Sequence, residues 1–259
     1  MQTARLGVVA LCCCVCVVTA QFTITVPDNP INVPVGGTAE FTVRPSASVA
    51  GGNWNFKNIR IVDWIGSTNT TVPAYVERIR LLFPEASLHL LSVKLTDDGQ
   101  YSVTMFPIFG QSDTAEITLN VLETVSNIVI TSNDTVPVEY NDTVELTCAA
   151  RGTAISYEWF KDNETIRYNH RIVLSADNKT LTLVGVLRSD SGKYTCHVYN
   201  AVSGNTSHPF LLNVNYGPGL PIMSTVPDQT VHGLGTTFDL LCSVDSNPTS
   251  QFKWFHNGK

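Results

Sequence analysis

The sequence predicts an all-β protein built from tandem β-sandwiches, and three observations support this fold class. Short runs with apolar residues at alternate positions, such as TAEFTV, SLHLLSV and TLTLVGV, are typical of strands with one buried face. Clusters of Gly, Asn, Asp and Ser separate these runs, as expected for turns. The motif DDGQYSV at residues 97–103 returns as SDSGKYTC at residues 189–196, which indicates that one domain pattern occurs twice.

The first 20 residues predict a secretory signal peptide that is removed before Gln21. Arg5 precedes an apolar run from Leu6 to Val18, and Ala20 supplies a small residue at the cleavage site. A membrane anchor is disfavoured because this run of 13 residues is shorter than the ~20 needed to span a bilayer. Four cysteines lie in this leader, so the mature chain retains three, Cys148, Cys196 and Cys242.

Six sequons for N-glycosylation support the secretory route. They place acceptors at Asn69, Asn133, Asn141, Asn163, Asn178 and Asn205. The formal net charge of −6, without a block of like charges, disfavours nucleic acid as a partner. The sequence contains no nucleophile, phosphate-binding or zinc-protease motif, and its histidines show no metal-ligand spacing. We therefore predict no enzyme, no catalytic residue, no metal site and no cofactor.

A common spacing relates two segments of the chain. In the second segment the marker positions are Cys148, Trp159, Arg171, Asp190, Tyr194 and Cys196. In the first segment the equivalent positions are Val43, Trp54, Arg78, Asp97, Tyr101 and Val103. The tryptophan follows the first marker by 11 residues in both segments, and the spacings from the arginine onward are identical.

These markers are typical of an immunoglobulin sandwich. The cysteines occupy strands B and F of opposite sheets, the tryptophan of strand C packs on their bridge, and the tyrosine closes the E–F corner. We therefore predict a Cys148–Cys196 disulfide and the ion pairs Arg78–Asp97 and Arg171–Asp190. In the first segment Val43 and Val103 replace the bridge, so that domain has no disulfide.

The segment between the tryptophan and the arginine distinguishes the two domains. The arginine follows the tryptophan by 24 residues in the first copy and by 12 in the second, and variable-type domains insert strands C′ and C″ in this segment. We predict a signal peptide at 1–20, a variable-type domain at 21–122, a shorter domain of C2 or I type at 125–215, and an incomplete third domain at 218–259. The third contains Cys242 and Trp254, so we expect a longer protein in which the partner of Cys242 and any membrane attachment lie beyond Lys259.

This arrangement resembles the carcinoembryonic-antigen-related cell adhesion molecules. The stretch RIVLSADNKTLTLVGVLRSDSGKYTCHVYNAVSGNTSHPFLLNVNYGP is similar to that family through strands D to G, and SNPTSQFKWFHNG is similar to the start of a further domain. A variable-type first domain without the disulfide is a further likeness. The resemblance implies cell-surface adhesion. The turn around Lys57 and Asn58 is shorter than in that family, so the resemblance does not imply which residues make adhesive contacts.

The outer face of the first domain's GFCC′ sheet is the predicted binding surface. If Trp54 and Val103 point inward, residues at alternate positions point outward. The predicted partner-binding residues are Asn55, Val62, Trp64, Thr104, Phe106 and Phe109. The alternative interpretation places Trp64 in the core.

The sequence therefore predicts a secreted or cell-surface glycoprotein of adhesion or recognition. Its expected partners are a second copy or related immunoglobulin-superfamily surface proteins, bound through this face. An immune-type receptor with an unrelated ligand and a signalling tail is the alternative, and the ectodomain of a receptor enzyme is a third possibility.

Overall fold

The computed structural model describes residues 21–258, and the predicted signal peptide lies outside the described residues. Within them the fold is all-β, as predicted, with three short 3₁₀ helices at Pro73–Tyr75, Leu95–Asp97 and Arg188–Asp190. The chain divides between Asn120 and Val121 into two compact units. None of the helices in residues 21–258 is long and apolar enough to cross a membrane.

The first unit is a sandwich of a six-stranded and a three-stranded sheet. Its strands are β1 Ile24–Thr25, β2 Ile31–Pro34, β3 Ala39–Phe41, β4 Arg44–Pro45, β5 Val49–Phe56, β6 Ile59–Ile65, β7 Thr68–Thr71, β8 Ile79–Leu82, β9 Ser87–Leu90, β10 Gly99–Pro107 and β11 Asp113–Leu122. The large sheet has the order β2-β11-β10-β5-β6-β7, the small one β3-β9-β8, and β1 pairs with β4. The large sheet contains the C′ and C″ strands predicted from the longer insertion.

The second unit contains a complete sandwich followed by a hairpin. Its strands are β12 Ser126–Ser132, β13 Val144–Arg151, β14 Ser156–Lys161, β15 Glu164–Thr165, β16 Ile172–Leu174, β17 Thr180–Leu183, β18 Gly192–Asn200, β19 Ser203–Thr206, β20 Phe210–Leu212, β21 Ile222–Val226 and β22 Asp239–Ser243. The sheets have the orders β12-β13-β17-β16 and β15-β14-β18-β19, with β20 also pairing with β18. Strands β21 and β22 form the hairpin.

The predicted disulfide joins β13 to β18 in the second unit. Cys148 and Cys196 are bonded and fully buried, and Trp159 is equally buried in the same core. Cys242 has no disulfide partner among the described residues. The indole Nε1 of Trp159 donates to the carbonyl of Asn178 at 3.0 Å, which ties strand β14 to the turn before β17.

The first sandwich packs aromatic rings beside the two positions at which the second has its bridge. Val43 and Val103 are buried as predicted. Beside them, the ring centroids of Phe41 and Tyr101 lie 4.5 Å apart, and those of Phe41 and Trp54 lie 5.7 Å apart. Such aromatic pairs each contribute about 0.5–1.5 kcal/mol beyond the burial of their area. The cluster partly offsets the missing disulfide.

Both predicted ion pairs are present. Arg78 pairs with Asp97, and Nη1 of Arg171 lies 3.1 Å from Oδ2 of Asp190. Each aspartate also accepts a backbone N–H from the residue three before it, at 2.7 Å for Asp97 and 2.8 Å for Asp190. These bonds satisfy two nearly buried carboxylates at equivalent corners of the two sandwiches.

Candidate functional site

The candidate site is the outer face of the six-stranded sheet, and strand pairing decides which side chains form it. Directly opposed residues in antiparallel strands project to the same side of the sheet. Val103 lies opposite Trp54 in the core. Their neighbours therefore project outward, and Ser102 lies opposite Asn55 while Thr104 lies opposite Asn53.

The structure corrects the prediction for Val62 and Trp64. Val62 is fully buried opposite Trp54, and Trp64 is 3 % exposed opposite Gly52, so both belong to the core. The physical reason is the packing space above Gly52. This residue has no side chain, and the indole of Trp64 fills the volume that a side chain would occupy.

A bulge in β6 also made the outward residues of this strand hard to predict. Val62 pairs with Trp54, but Arg60 pairs with Asn55, so Ile61 is an additional residue in β6. Arg60 and Val62 consequently project to opposite sides although they are two residues apart. The outward residues of β6 are Arg60, Asp63 and Ile65.

Polar side chains form the centre of the face and are hydrogen-bonded to one another. Nδ2 of Asn55 donates to Oδ1 of Asn53 at 2.9 Å and lies 3.4 Å from Oγ of Ser102. The hydroxyls of Thr104 and Thr114 lie 2.8 Å apart across β10 and β11. These bonds hold the polar side chains of this surface in place before any partner arrives.

Apolar side chains are concentrated at one end of this face. Gly51 lies opposite both Phe106 on β10 and Ile65 on β6. Phe106 is 47 % exposed and Ile65 is 82 % exposed. Because neighbouring strands are about 4.8 Å apart, the two side chains project from strands about 10 Å apart on either side of Gly51.

The turn after β10 extends this apolar end. Ile108 is exposed, and Phe109 is 91 % exposed. We call Ile65, Phe106, Ile108 and Phe109 the apolar end of the outer face. The sequence predicted Phe106 and Phe109 as partner-binding residues but not Ile65. The feature that indicates Ile65 is its position opposite Gly51.

One ion pair borders the face on β6. Nη1 of Arg60 lies 3.1 Å from Oδ1 of Asp63, and both side chains are exposed. An exposed pair of this kind contributes at most about 1 kcal/mol to stability. Its two charges therefore remain available to a partner.

The predicted acceptor Asn69 lies away from the outer face. It is exposed on β7 opposite Trp64, so it projects to the side of the sheet on which Trp64 packs. The other five predicted acceptors are exposed residues of the second unit. A glycan at Asn69 would leave the outer face accessible. Within residues 21–258 no cluster of three His, Cys, Asp or Glu could hold a metal ion.

Comparison with known proteins identifies the fold of the second domain and finds solved structures similar to the chain. Residues 127–200 match the immunoglobulin domain family. Murine CEACAM1b is 24 % identical with a TM-score of 0.64, covering 75 % of this chain and all of that chain. The CD2-binding domain of CD58 is 20 % identical with a TM-score of 0.56, covering 71 % of this chain and 97 % of that one. Bovine butyrophilin is 17 % identical with a TM-score of 0.51, covering 73 % and 98 %.

Proposed function

We propose that this protein is a secreted or cell-surface recognition protein that binds other proteins through the outer face of its first domain. The observation that carries the proposal is the apolar end, Ile65, Phe106, Ile108 and Phe109, beside a hydrogen-bonded polar surface. Clustered exposed aromatic side chains on a soluble domain mark protein-binding sites. A few such anchors supply most of the binding energy of an interface.

We further propose that the partner is a second copy or a related immunoglobulin-superfamily protein. The likeness to the carcinoembryonic-antigen-related adhesion molecules supports this choice. The similar structures include a CD2-binding domain of CD58 and a mouse coronavirus receptor-binding domain complexed with its murine receptor. Both names describe recognition between proteins.

Distribution of the predicted glycans supports a division of labour between the domains. One acceptor lies in the first domain, off the outer face, and five lie in the second. Glycans would cover the second domain as a spacer and leave the first domain free for contact. This arrangement rests on the secretory route that the leader and the sequons predict.

The test is binding by a Phe106→Ser variant of the glycosylated mature chain. Self-association is measured by sedimentation equilibrium, and binding to related ectodomains by surface plasmon resonance. Loss of an aromatic anchor costs about 2 kcal/mol, so we expect about thirtyfold weaker binding. The control is Leu82→Ser, which changes an exposed residue of the three-stranded sheet. Equal loss in both variants, or none in Phe106→Ser, would contradict the proposal.

A further inference from the structure

A groove on the second domain brings a predicted glycan acceptor together with aromatic side chains. Its volume is about 590 Å³, and it lies between strand β14, the segment 168–174 and the turn before β17. The lining includes Tyr157, Tyr168, Asn178 and Tyr199. This volume lies within the ~300–1,000 Å³ range of sites that hold small molecules.

The backbone of Asn178 is fixed at the rim of this groove. Its N–H donates to the carbonyl of Ser175 at 2.9 Å, and its own carbonyl accepts Nε1–H of the buried Trp159 at 3.0 Å. Its φ of 58° places it in the left-handed region, which asparagine tolerates better than most residues. The residue is exposed, and the sequon continues through Lys179 and Thr180.

The groove lining matches the chemistry of a sugar. A pyranose ring presents apolar C–H faces and hydroxyl edges, and a tyrosine offers an apolar ring face with a polar hydroxyl. Tyr168 and Tyr199 are 48 % and 43 % exposed. Glu158 and Asn169 add polar groups to the lining. Partial burial, and secondarily the charge of Glu158, raise the pKa of Tyr168, so its hydroxyl stays protonated and can donate.

We propose that the N-linked glycan of Asn178 packs back into this groove, with its first sugar residues against Tyr168 and Tyr199. This inference rests on the secretory route of the proposed function. In that route Nδ2 of Asn178 forms a bond to the anomeric carbon of the transferred oligosaccharide, the amide gives up one proton, and the lipid pyrophosphate leaves. The covalent link holds the first sugars beside the groove, so a weak contact suffices to order them.

Asn163 provides the internal comparison. It occupies the turn between β14 and β15, where Asp162 and Asn163 both have positive φ values, and its side chain is exposed. It is not among the residues that line the groove. A glycan at Asn163 therefore extends into solvent, whereas one at Asn178 has a surface to bind.

The experiment measures how accessible the two glycans are on the native protein. The mature chain is secreted from mammalian cells in which glycan processing is arrested at the oligomannose stage. Native protein is digested with an endoglycosidase, and release at each site is followed by glycopeptide mass spectrometry. We expect release at Asn178 to be about tenfold slower than at Asn163, the ratio given by a contact of about 1.4 kcal/mol. The difference should disappear when the protein is denatured before digestion.

Variants of Tyr168 test the contact itself. Tyr168→Ser should bring release at Asn178 to the rate at Asn163, whereas Tyr168→Phe keeps the ring and should retain most of the protection. An unchanged melting temperature establishes that each variant is folded. Equal rates at both sites in the wild type, or protection that persists in Tyr168→Ser, would overturn the inference. If Asn163 carries a glycan and Asn178 does not, the groove inference fails while the proposed function stands. If none of the six acceptors carries a glycan, the secretory route fails as well.

Discussion

Trp64 packs over Gly52 across the β5–β6 pair, and this contact fixes which side of β6 belongs to the core. A β-carbon on Gly52 would lie 2.5 Å from Cζ2 of Trp64 and would also meet backbone of β10. Any side chain at position 52 would therefore overlap the indole of Trp64. Strand β6 consequently contributes Arg60, Asp63 and Ile65 to the outer face, whereas Trp64 belongs to the core.

This relationship predicts that Gly52→Ala destabilises the first domain. The added methyl group has no free volume, and overpacking of a core typically costs about 1–3 kcal/mol. Differential scanning calorimetry should show a lower melting temperature for that domain. Gly217→Ala is the matched control because a β-carbon there meets nothing within 4 Å. Equal melting temperatures for the wild type and Gly52→Ala would mean that Trp64 does not occupy this position.

The features that the sequence predicted well are those with rigid spacing. A disulfide, a buried tryptophan and an arginine–aspartate pair each require fixed residue types at fixed separations, so Cys148, Trp159 and the Arg78–Asp97 pair could be placed. The inward and outward residues of β6 could not be predicted, because one inserted residue, Ile61, reverses the alternation of inward and outward side chains. Adjacent glycines at 51 and 52 were the available signal, since they leave space on both faces of β5.

Reduction of the disulfide should affect the two domains differently. Cys148 and Cys196 are separated by 48 residues, and closing a loop of that length stabilises a domain by about 4 kcal/mol on the loop-entropy model. Treatment with a reductant should lower the melting temperature of the second domain and leave the first unchanged. Calorimetric scans with and without reductant measure this directly. An equal shift of both transitions would contradict the assignment of the bridge to one domain.

Loss of the buried carboxylate at the sandwich corner should be strongly destabilising. Asp97 pairs with Arg78 and accepts the backbone N–H of Lys94, so Asp97→Ala removes both interactions and leaves the guanidinium without its partner. Breaking such a pair costs about 3 kcal/mol or more. Denaturant titration of Asp97→Ala is the measurement, and Glu40→Ala, which removes an exposed carboxylate of the same domain, is the control. A cost below about 1 kcal/mol would show that the pair is of the weak surface kind.

The tyrosine of the same corner predicts a dependence on alkaline pH. Tyr101 is buried and donates to the carbonyl of Asp97 at 3.0 Å, and burial is the main reason that its pKa is raised. The neutral phenol is thus favoured in the folded state. Its stabilising effect is fully present below about pH 10, the ordinary tyrosine pKa, and is lost as pH rises above it.

Tyr101→Phe should change how the stability of the first domain depends on pH. At neutral pH the variant loses a hydrogen bond of about 1 kcal/mol and should be less stable than the wild type. Above about pH 10 its stability should decline less steeply, because one group that ionises on unfolding is gone. Denaturant titrations at a series of pH values measure both effects. Parallel stability curves for the two proteins would contradict the raised pKa.

The most direct test of the binding surface places a glycan on the outer face. Lys57→Ser completes an N-x-S sequon that begins at Asn55 and so directs a glycan to the centre of this surface, whereas Lys57→Ala removes the same lysine without creating an acceptor. Mass spectrometry establishes occupancy of Asn55, and sedimentation and surface plasmon resonance measure binding to a second copy and to related ectodomains. We predict that the glycosylated Lys57→Ser protein is folded and no longer binds, while Lys57→Ala binds like the wild type. Full-strength binding by a chain that carries a glycan at Asn55 would contradict the claim that this face makes the contact.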